Sequence, residues 1–264
     1  MSNTTRTTAL VTGASSGIGA TYAKRLAARG HDLVLVARRA DRLEQLANEL
    51  TGTYGVSVRA VVADLSTDAG VAQVGDILKA DASVDILVNN AGTSPLGSST
   101  DLPQEVIDRM IAVNITALTH LSRAALPGFI ARNRGTIINI GSVMAFNAFP
   151  ITSAYSGSKA YVLLFSKGLQ AELKDTNVRV QAVLPAGVAT EIYDGSIMPL
   201  DSIPKEVVMS VDDLVDAALA GLDSGETTTL PSVDDAELWA RYESARDALF
   251  ASTQTGTPAS RYRV

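Results

Sequence analysis

Residues 8–19, Thr-Ala-Leu-Val-Thr-Gly-Ala-Ser-Ser-Gly-Ile-Gly, are the part of the sequence that decides the fold. The first half is a short apolar run, and the second half places glycines at the spacing G-x-x-x-G-x-G. Glycine lets a backbone turn tightly, and the start of a helix attracts anions. The stretch therefore predicts a strand, a tight turn and a helix whose start can bind a phosphate. The glycines alone also fit a tight turn that binds nothing.

Short apolar runs alternate with amphipathic segments along most of the remaining chain. The predicted strands are residues 8–11, 33–37, 56–63, 86–89, 136–140 and 178–184, and the predicted helices are residues 17–29, 41–50, 68–79, 103–133 and 152–174. Nearly continuous apolar strands suit a parallel sheet that is covered on both faces. Strict alternation with helices predicts right-handed crossovers, and therefore an α/β, doubly wound sheet.

The regular pattern loosens after residue 184. Residues 187–210 are rich in proline, glycine and aspartate, which predicts a substrate loop or lid. A helix at 211–222, a strand at 227–230 and a helix at 234–250 are predicted to follow. Residues 252–264 are expected to form a flexible tail or to dock on a partner subunit.

Composition excludes several classes of function. The 264 residues, 46% of them hydrophobic, can form one domain over residues 1–264. A net charge of −6 argues against nucleic acid or an acidic membrane as a partner. The chain has no cysteine and two histidines, so no metal site is expected. A polar N-terminus and the lack of a long apolar run predict a cytoplasmic protein without a signal peptide or membrane span.

The second predicted strand indicates which dinucleotide the turn would bind. Where an NAD-binding fold usually ends this strand with an acid, Ala37 stands here and is followed by Arg38 and Arg39. Guanidinium groups can hold a 2′-phosphate, which an acid would repel. The residues predict NADP(H) over NAD(H) as the cofactor, although a solvated arginine pair at the end of a strand is the alternative.

Two further strand ends can contribute to a nucleotide site. Asp64 and Leu65 end the third strand, where an adenine ring should lie, and the Asp64 carboxylate could bind its amine or cap the next loop. Asn89, Asn90, Ala91 and Gly92 end the fourth strand. Small residues there let a cofactor pack against the backbone, and an asparagine can tie neighbouring strands together.

A hydroxyl, a phenol and an ammonium group can converge after the fifth strand. Ser142 lies at the end of that strand, and Tyr155 and Lys159 are four residues apart near the start of the next helix. Residues four apart share one face of a helix. Convergence of these three groups on one point is therefore possible.

Together these motifs closely resemble the short-chain dehydrogenase/reductase family in its compact, single-domain form. The residues that carry the resemblance are Thr12-Gly13-x-x-x-Gly17-Ile18-Gly19, Asn89-Asn90-Ala91-Gly92, Asn114, Ser142 and Tyr155-x-x-x-Lys159. The resemblance covers about residues 7–190. It implies a Rossmann-type fold with strand order 3-2-1-4-5-6-7, nicotinamide-dependent oxidoreduction, and a homodimer or homotetramer built through the long fourth and fifth helices.

The resemblance also implies catalytic roles. Tyr155 would be the general acid/base, and Lys159 would favour its phenolate and hold the nicotinamide ribose. Ser142 would hydrogen-bond the substrate oxygen. Asn114 would kink its helix and hold a water that links Lys159 to solvent.

A larger set of residues is expected to bind the cofactor. Its members are Gly13, Ser15, Ser16, Gly17, Ile18, Gly19, Arg38, Arg39, Asp64, Leu65, Asn90, Ala91, Gly92, Tyr155, Lys159, Pro185, Gly187, Val188 and Thr190. One departure from the family pattern is visible, because Pro185 is followed by Ala186 and the glycine is displaced to 187. We expect Gly187 to take the awkward backbone conformation, with Thr190 and the Val188 backbone still reaching the carboxamide and diphosphate.

The predicted substrate pocket is apolar. Its wall is expected to include Met144, Phe146, Phe149, Tyr193 and Met198, although some of these side chains could instead be core or interface residues. The pattern favours a ketone, aldehyde or secondary alcohol of moderate size, reduced or oxidised by an NADP(H)-dependent carbonyl reductase or alcohol dehydrogenase. The alternative is a non-catalytic NADP(H)-binding sensor or scaffold protein.

Overall fold

A seven-stranded parallel sheet forms the centre of the fold. The computed structural model describes residues 6–191, 197 and 199–263. The strands are β1 Thr8–Thr12, β2 Asp32–Ala37, β3 Val58–Val62, β4 Val84–Asn89, β5 Gly135–Ile140, β6 Val178–Val183, β7 Gly187–Val188, β8 Val208–Met209 and β9 Thr228–Thr229. The main sheet has the order β3-β2-β1-β4-β5-β6-β9. This confirms the predicted order, because the predicted seventh strand is β9, which pairs with β6.

The helices cover both faces of this sheet. They are α1 Gly17–Ala28, α2 Ala40–Tyr54, α3 Asp68–Ala80, α4 Gln104–Ile111, α5 Leu118–Ala131, α6 Ser153–Glu172 and α7 Val211–Asp223. An eighth helix, α8 Ala236–Ser252, belongs to a second compact unit. Leucines of α1, α2 and α7 belong to one buried cluster, and apolar residues of α3, α5 and α6 belong to a second. Every residue of β1 and β5 is buried. The apolar strands are thus explained by burial on both sides.

The long helix predicted over residues 103–133 is interrupted. A π-helical segment, Ala112–Ala117, separates α4 from α5 and contains the buried Asn114. The hydrophobic pattern continues across all three parts, so periodicity gave no sign of the break. π-Helical segments inside α-helices occur frequently at functional sites.

The predicted substrate loop contains regular structure at both ends. β7 and β8 pair in parallel and lie apart from the main sheet. Short 3₁₀ turns at Leu200–Ser202 and Lys205–Val207 precede β8. These elements hold the two ends of the loop together.

The chain divides into two compact units, the first ending at Pro231 and the second beginning at Ser232. The second unit consists of α8, which Asp235 caps through a hydrogen bond to the Glu237 amide, and a 3₁₀ turn, Ser260–Tyr262. No residue of α8 is buried. Among the described residues, no helix combines the length and the apolar character needed to cross a membrane.

Replacement of Gly19 by alanine should destabilise the fold. An added Cβ would overlap the Gly13 carbonyl oxygen and lie 2.5 Å from Asn90 Nδ2. Because the obstacles include backbone, we expect the free energy of unfolding to fall by about 1–3 kcal/mol, measured by urea denaturation. Gly52→Ala in α2 is the control, since its Cβ would meet nothing within 4 Å. A Gly19→Ala protein as stable as wild type would contradict this packing.

Candidate active site

A large cavity opens at the edge of the sheet where the parallel strands end. Its volume of about 910 Å³ lies at the upper end of the range for ligand sites. In open α/β sheets, ligands bind in this crevice at the carboxyl ends of the strands. Most of the residues predicted to bind a cofactor line it: Gly13, Ser15, Ser16, Gly17, Ile18, Arg38, Arg39, Asp64, Leu65, Asn90, Ala91, Gly92, Tyr155, Lys159, Pro185, Gly187, Val188 and Thr190.

The glycine turn after β1 forms one end of the cavity. Gly13 and Gly17 have φ angles of 65° and 51°, in the region that favours glycine. Gly19 stands outside the lining and serves the turn by its close approach to the Gly13 carbonyl. The side chain of Ser16, the residue before α1, does not cap the helix. Amides at the start of α1 are therefore available for a phosphate, which fits a dinucleotide.

A threonine and an asparagine tie the turn to β4. Thr12 donates its hydroxyl to the Val88 carbonyl at 3.1 Å and accepts the amides of Asn90 and Ala91, each at 3.0 Å. Asn90 Nδ2 donates to the Thr12 carbonyl at 2.9 Å. Asn90 thus bridges β1 and β4, and Asn89 bridges β4 and β5 by donating to Asn139 at 2.9 Å. The contacts fix the turn against the wall formed by the end of β4.

The two arginines after β2 have different surroundings. Arg38 is exposed, and among the described residues its side chain has no hydrogen-bond partner. Arg39 donates to Ser15 at 2.9 Å, to Ser16 at 2.7 Å and to the Glu191 carboxylate at 2.8 Å. Arg38 is therefore free to bind an anion at this end of the cavity, whereas Arg39 already links three side chains.

Asp64 caps the loop that follows β3. Its carboxylate accepts the Ser66 amide at 2.9 Å, the Ser66 hydroxyl at 2.7 Å and Arg109 at 3.0 Å. Burial opposes ionisation, but the Ser66 hydrogen bonds and the charge of Arg109 outweigh it and lower the pKa of Asp64. Of the two roles considered for Asp64, capping of the next loop is observed. Asp64 also lines the cavity.

The loop after β6 corrects one expectation. Gly187 does not adopt a positive φ angle, and neither does Ala186. Gly187 is instead part of β7, where an added Cβ would lie 2.8 Å from the Val207 carbonyl oxygen. Glycine is needed there for close strand approach. Thr190 lies against the phosphate turn, its methyl group 3.3 Å from the position of a Cβ added at Gly17.

Lys159 is a buried cation at the centre of the site. Its side chain is 7% exposed, and Nζ donates to the Ile140 carbonyl at 2.9 Å and lies 5.7 Å from the centre of the Tyr155 ring. Burial lowers the pKa of Lys159 to about 8. Among the described residues, the Ile140 carbonyl is the one acceptor for the Lys159 ammonium group. Two of the three N–H donors of Lys159 are therefore available to a ligand. Ser142, Tyr155 and Lys159 all line the same cavity.

Asn114 lies behind this group, outside the cavity lining. Its Oδ1 accepts the Thr93 amide at 2.9 Å, and its Nδ2 donates to the Thr93 carbonyl at 2.9 Å and to Ser158 at 3.1 Å. A Cβ added at Gly92 would lie 3.4 Å from Asn114 Oδ1 and 3.8 Å from Lys159 Nζ. Asn114 thus connects the π-helical segment to the end of β4 and to α6 beside Lys159.

Ser142 is held by its position after β5. Its hydroxyl accepts the Met144 amide at 3.1 Å and so caps a short 3₁₀ turn, Val143–Ala145. The neighbouring Val143 amide donates to the Pro185 carbonyl at 3.0 Å. These bonds set the direction of the chain past the Ser142 hydroxyl, which can still donate its proton to an acceptor in the cavity.

Part of the predicted substrate wall lies in the cavity. Met144 and Phe149 line it, and Phe146 lies outside the lining. Tyr193 and Met198 lie outside the described residues. The apolar wall also includes three residues that sequence analysis did not identify, Leu96, Ile203 and Val207.

Sequence analysis also missed two charged residues of the cavity. Arg109 reaches Asp64 from α4, and Glu191 reaches Arg39 from the loop after β7. Neither belongs to a local motif, and their partners are 45 and 152 residues away in the chain. Only the packing of distant segments brings these charges together.

The chain is similar to known proteins over most of its length. A family model described as short chain dehydrogenase matches residues 7–197. The chain belongs to the short-chain dehydrogenase family. A short-chain dehydrogenase from Sphingobium yanoikuyae in complex with NADPH is 46% identical, with a TM-score of 0.94 over 97% of this chain and 100% of that one.

Further relatives differ in the substrates that their names state. The bulky-bulky ketone specific alcohol dehydrogenase from Comamonas testosteroni is 40% identical, with a TM-score of 0.91 over 99% of this chain and 100% of that one. The very-long-chain 3-oxoacyl-CoA reductase of Anas platyrhynchos is 39% identical over 191 residues, or 70% of this chain. The chain spans 60% of the length of that curated relative.

The buried Lys159 should make stability depend on pH. Its pKa is about 8 in the folded protein against 10.5 as the ordinary value. Between these values the unfolded state binds more protons, so stability rises with pH as the cost of burying the ammonium disappears. A Lys159→Met protein lacks this cost. We compare the free energy of unfolding of the Lys159→Met protein with that of the wild type at each pH. The difference in favour of Lys159→Met should be larger at pH 7 than at about pH 10, by an amount on the order of 3 kcal/mol.

Urea denaturation of both proteins at the two pH values measures the difference. Other titrating groups are common to both proteins and cancel in the comparison. A stability difference that does not change with pH would show that Lys159 keeps its ordinary pKa.

Proposed function

We propose that this protein transfers a hydride between NADP(H) and a moderately apolar ketone or aldehyde, or the corresponding secondary alcohol, with Tyr155 as general acid/base. One observation carries the proposal. Ser142, Tyr155 and Lys159 line the same cavity as the glycine turn and Arg38. A proton-transfer group and a dinucleotide site therefore share one space.

The cofactor assignment is supported by the charges at the adenosine end of the cavity. Arg38 is exposed there and is free to bind a 2′-phosphate, while Ala37 stands where an NAD-binding strand usually ends in an acid. The solved structure from Sphingobium yanoikuyae, 46% identical, contains NADPH. When bound, NADPH supplies the hydride.

The proton chemistry belongs to the chain's own residues. In the reductive direction, Tyr155 donates its phenolic proton to the carbonyl oxygen, and in the oxidative direction it accepts the proton of the alcohol. Lys159 supplies a positive charge close to the Tyr155 ring, which stabilises negative charge on the phenol oxygen. The Ser142 hydroxyl donates a hydrogen bond to the same substrate oxygen and orients it.

Asn114 supports this group from behind. Both ends of its amide bond the Thr93 backbone, and its Nδ2 also donates to Ser158, the residue before Lys159. We assign to Asn114 the holding of a water that passes protons between Lys159 and solvent. The position of Asn114 in a π-helical segment supports this role, because such segments occur frequently at functional sites.

The substrate assignment is supported by the apolar wall beside Ser142. Leu96, Met144 and Phe149 face the cavity there, and Ile203 and Val207 reach it from the loop before β8. These side chains suit a ketone with large apolar substituents. The relative from Comamonas testosteroni, 40% identical, is named as specific for bulky-bulky ketones.

A long-chain 3-oxoacyl thioester is a second candidate substrate. It carries a ketone beside an apolar chain, and the 39% identity with a very-long-chain 3-oxoacyl-CoA reductase favours it. A substrate panel that contains both classes distinguishes them. Turnover with neither class, together with tight NADPH binding, would instead support the non-catalytic sensor.

The proposal extends to the domain structure, the oligomeric state and the location of the protein. We infer a single oxidoreductase domain that assembles as a homodimer or homotetramer in the cytoplasm. The composition and the family's use of its long helices for assembly support these inferences, which remain predictions.

Replacement of Tyr155 by phenylalanine should abolish turnover while leaving the cofactor site intact. The change removes only the phenolic hydroxyl, and general acid/base groups contribute on the order of 10²–10⁴ in rate. The measurement is NADPH oxidation, followed by its absorbance, with a panel of bulky ketones and 3-oxoacyl thioesters. NADPH binding, followed by fluorescence, should change less than about twofold.

The matched control is Tyr161→Phe on the same helix. Tyr161 shares a hydrogen bond with Thr119 at 2.8 Å, and the structure does not place it in the cavity lining. It should retain activity close to wild type. Wild-type turnover by the Tyr155→Phe protein would exclude Tyr155 as the acid/base.

A further inference from the structure

Glu191 joins the loop after β7 to the start of α2 through two arginines. Its Oε2 accepts from Arg39 at 2.8 Å, and its Oε1 accepts from Arg42 at 2.6 Å. Hydrogen bonds from Arg39 and Arg42 lower the pKa of Glu191 to about 2, so the carboxylate is charged at neutral pH. Side-chain exposures of 39–45% leave all three groups accessible to solvent ions and ligands.

Arg39 connects this carboxylate to the phosphate turn. Its Nε and one terminal nitrogen donate to Ser15, and that nitrogen also donates to Ser16. The other terminal nitrogen donates to Glu191. Ser15, Ser16, Arg39 and Glu191 all line the cavity. An anion that approaches Arg39 from the cavity therefore meets a guanidinium with four of its five N–H donors already hydrogen-bonded.

We propose that Glu191 is a specificity-determining residue, an internal anion that competes with the 2′-phosphate of NADP(H) for Arg39 and weakens its binding selectively. The inference rests on the proposed function, since it concerns the same cofactor site. NAD(H) has no 2′-phosphate and does not enter this competition.

The balance of charge supports a competing role. Arg38, Arg39 and Arg42 carry three positive charges and Glu191 carries one negative charge, which leaves two positive charges. A phosphate monoester has a charge of about −1.5 to −2 at neutral pH. Without the carboxylate, three positive charges would face the phosphate, and its binding would be stronger.

Arg42 explains how the exchange can occur without a large movement. Glu191 has a second partner in Arg42, so its carboxylate remains paired when Arg39 turns to a phosphate. Only one exposed ion pair is then exchanged. Because exposed ion pairs contribute modestly, the selective effect should be about threefold to tenfold in affinity.

Binding of NADP⁺ and NAD⁺ to the Glu191→Gln protein tests the proposal. Glutamine keeps the size of the side chain and removes its charge. By isothermal titration calorimetry, Kd for NADP⁺ should fall about threefold to tenfold relative to wild type, and Kd for NAD⁺ should change less than about twofold. Raising the salt concentration should reduce the difference.

Two other variants make the result specific. Asp223→Asn removes the same charge from a bidentate pair with Arg29, outside the cavity, and should leave both Kd values unchanged. Arg38→Ala should weaken NADP⁺ and leave NAD⁺ unaffected. Thermal denaturation of each variant shows whether it is folded.

The possible results distinguish a failure of the role of Glu191 from a failure of the proposed function. If the wild type prefers NADP⁺ and the Glu191→Gln protein binds NADP⁺ no more tightly than the wild type does, the role of Glu191 is overturned and the proposed function stands. An equal gain for NADP⁺ and NAD⁺ also overturns it, because the effect would not depend on the 2′-phosphate. Failure of both the wild type and the Glu191→Gln protein to bind NADP⁺ overturns both, because no 2′-phosphate would then bind at this site.

Discussion

The arrangement of the site depends on the buried ammonium group of Lys159. Moving a cation from water into the protein interior costs free energy unless hydrogen bonds or an opposite charge compensate for the lost hydration. Here the Ile140 carbonyl at the end of β5 accepts one hydrogen bond from the ammonium group. The same charge lies 5.7 Å from the centre of the Tyr155 ring, where the proposed mechanism uses it.

The parallel sheet explains why these groups meet. All strands of the main sheet run in one direction, so the turn after β1, the asparagine after β4 and the serine after β5 reach the same edge. Thr12 and Asn90 join two of these strand ends directly. The glycine turn, Ser142, Tyr155 and Lys159, to which we assign cofactor binding and proton transfer, therefore lie at one edge of the sheet and line one cavity.

Much of this edge could be predicted because its residues act through local geometry. The glycine spacing at 13, 17 and 19 predicted a turn, and φ angles of 65° and 51° at the first two show why glycine is needed. The parallel sheet followed from the apolar pattern, and its strand order followed from the family resemblance. NADP(H), predicted from Ala37, Arg38 and Arg39, agrees with the cofactor of the solved relative.

The features that sequence analysis missed depend on distant contacts. The break around Asn114 does not change the hydrophobic period, so the kink expected there came from the family resemblance alone, and its π-helical form was not predicted. Gly187 serves strand approach rather than a positive φ angle. Glu191 and Arg109 become part of the site through partners far away in the chain. No local pattern records such pairings.

Transfer of deuterium tests the proposed hydride transfer most directly. NADPH that carries deuterium at both C4 positions is incubated with the wild-type protein and a bulky apolar ketone, and the alcohol is analysed by mass spectrometry and NMR. One deuterium bound to the carbinol carbon of each product molecule is the predicted result. An alcohol without deuterium at that carbon, or the absence of any alcohol across the ketone and 3-oxoacyl thioester panel, would contradict it.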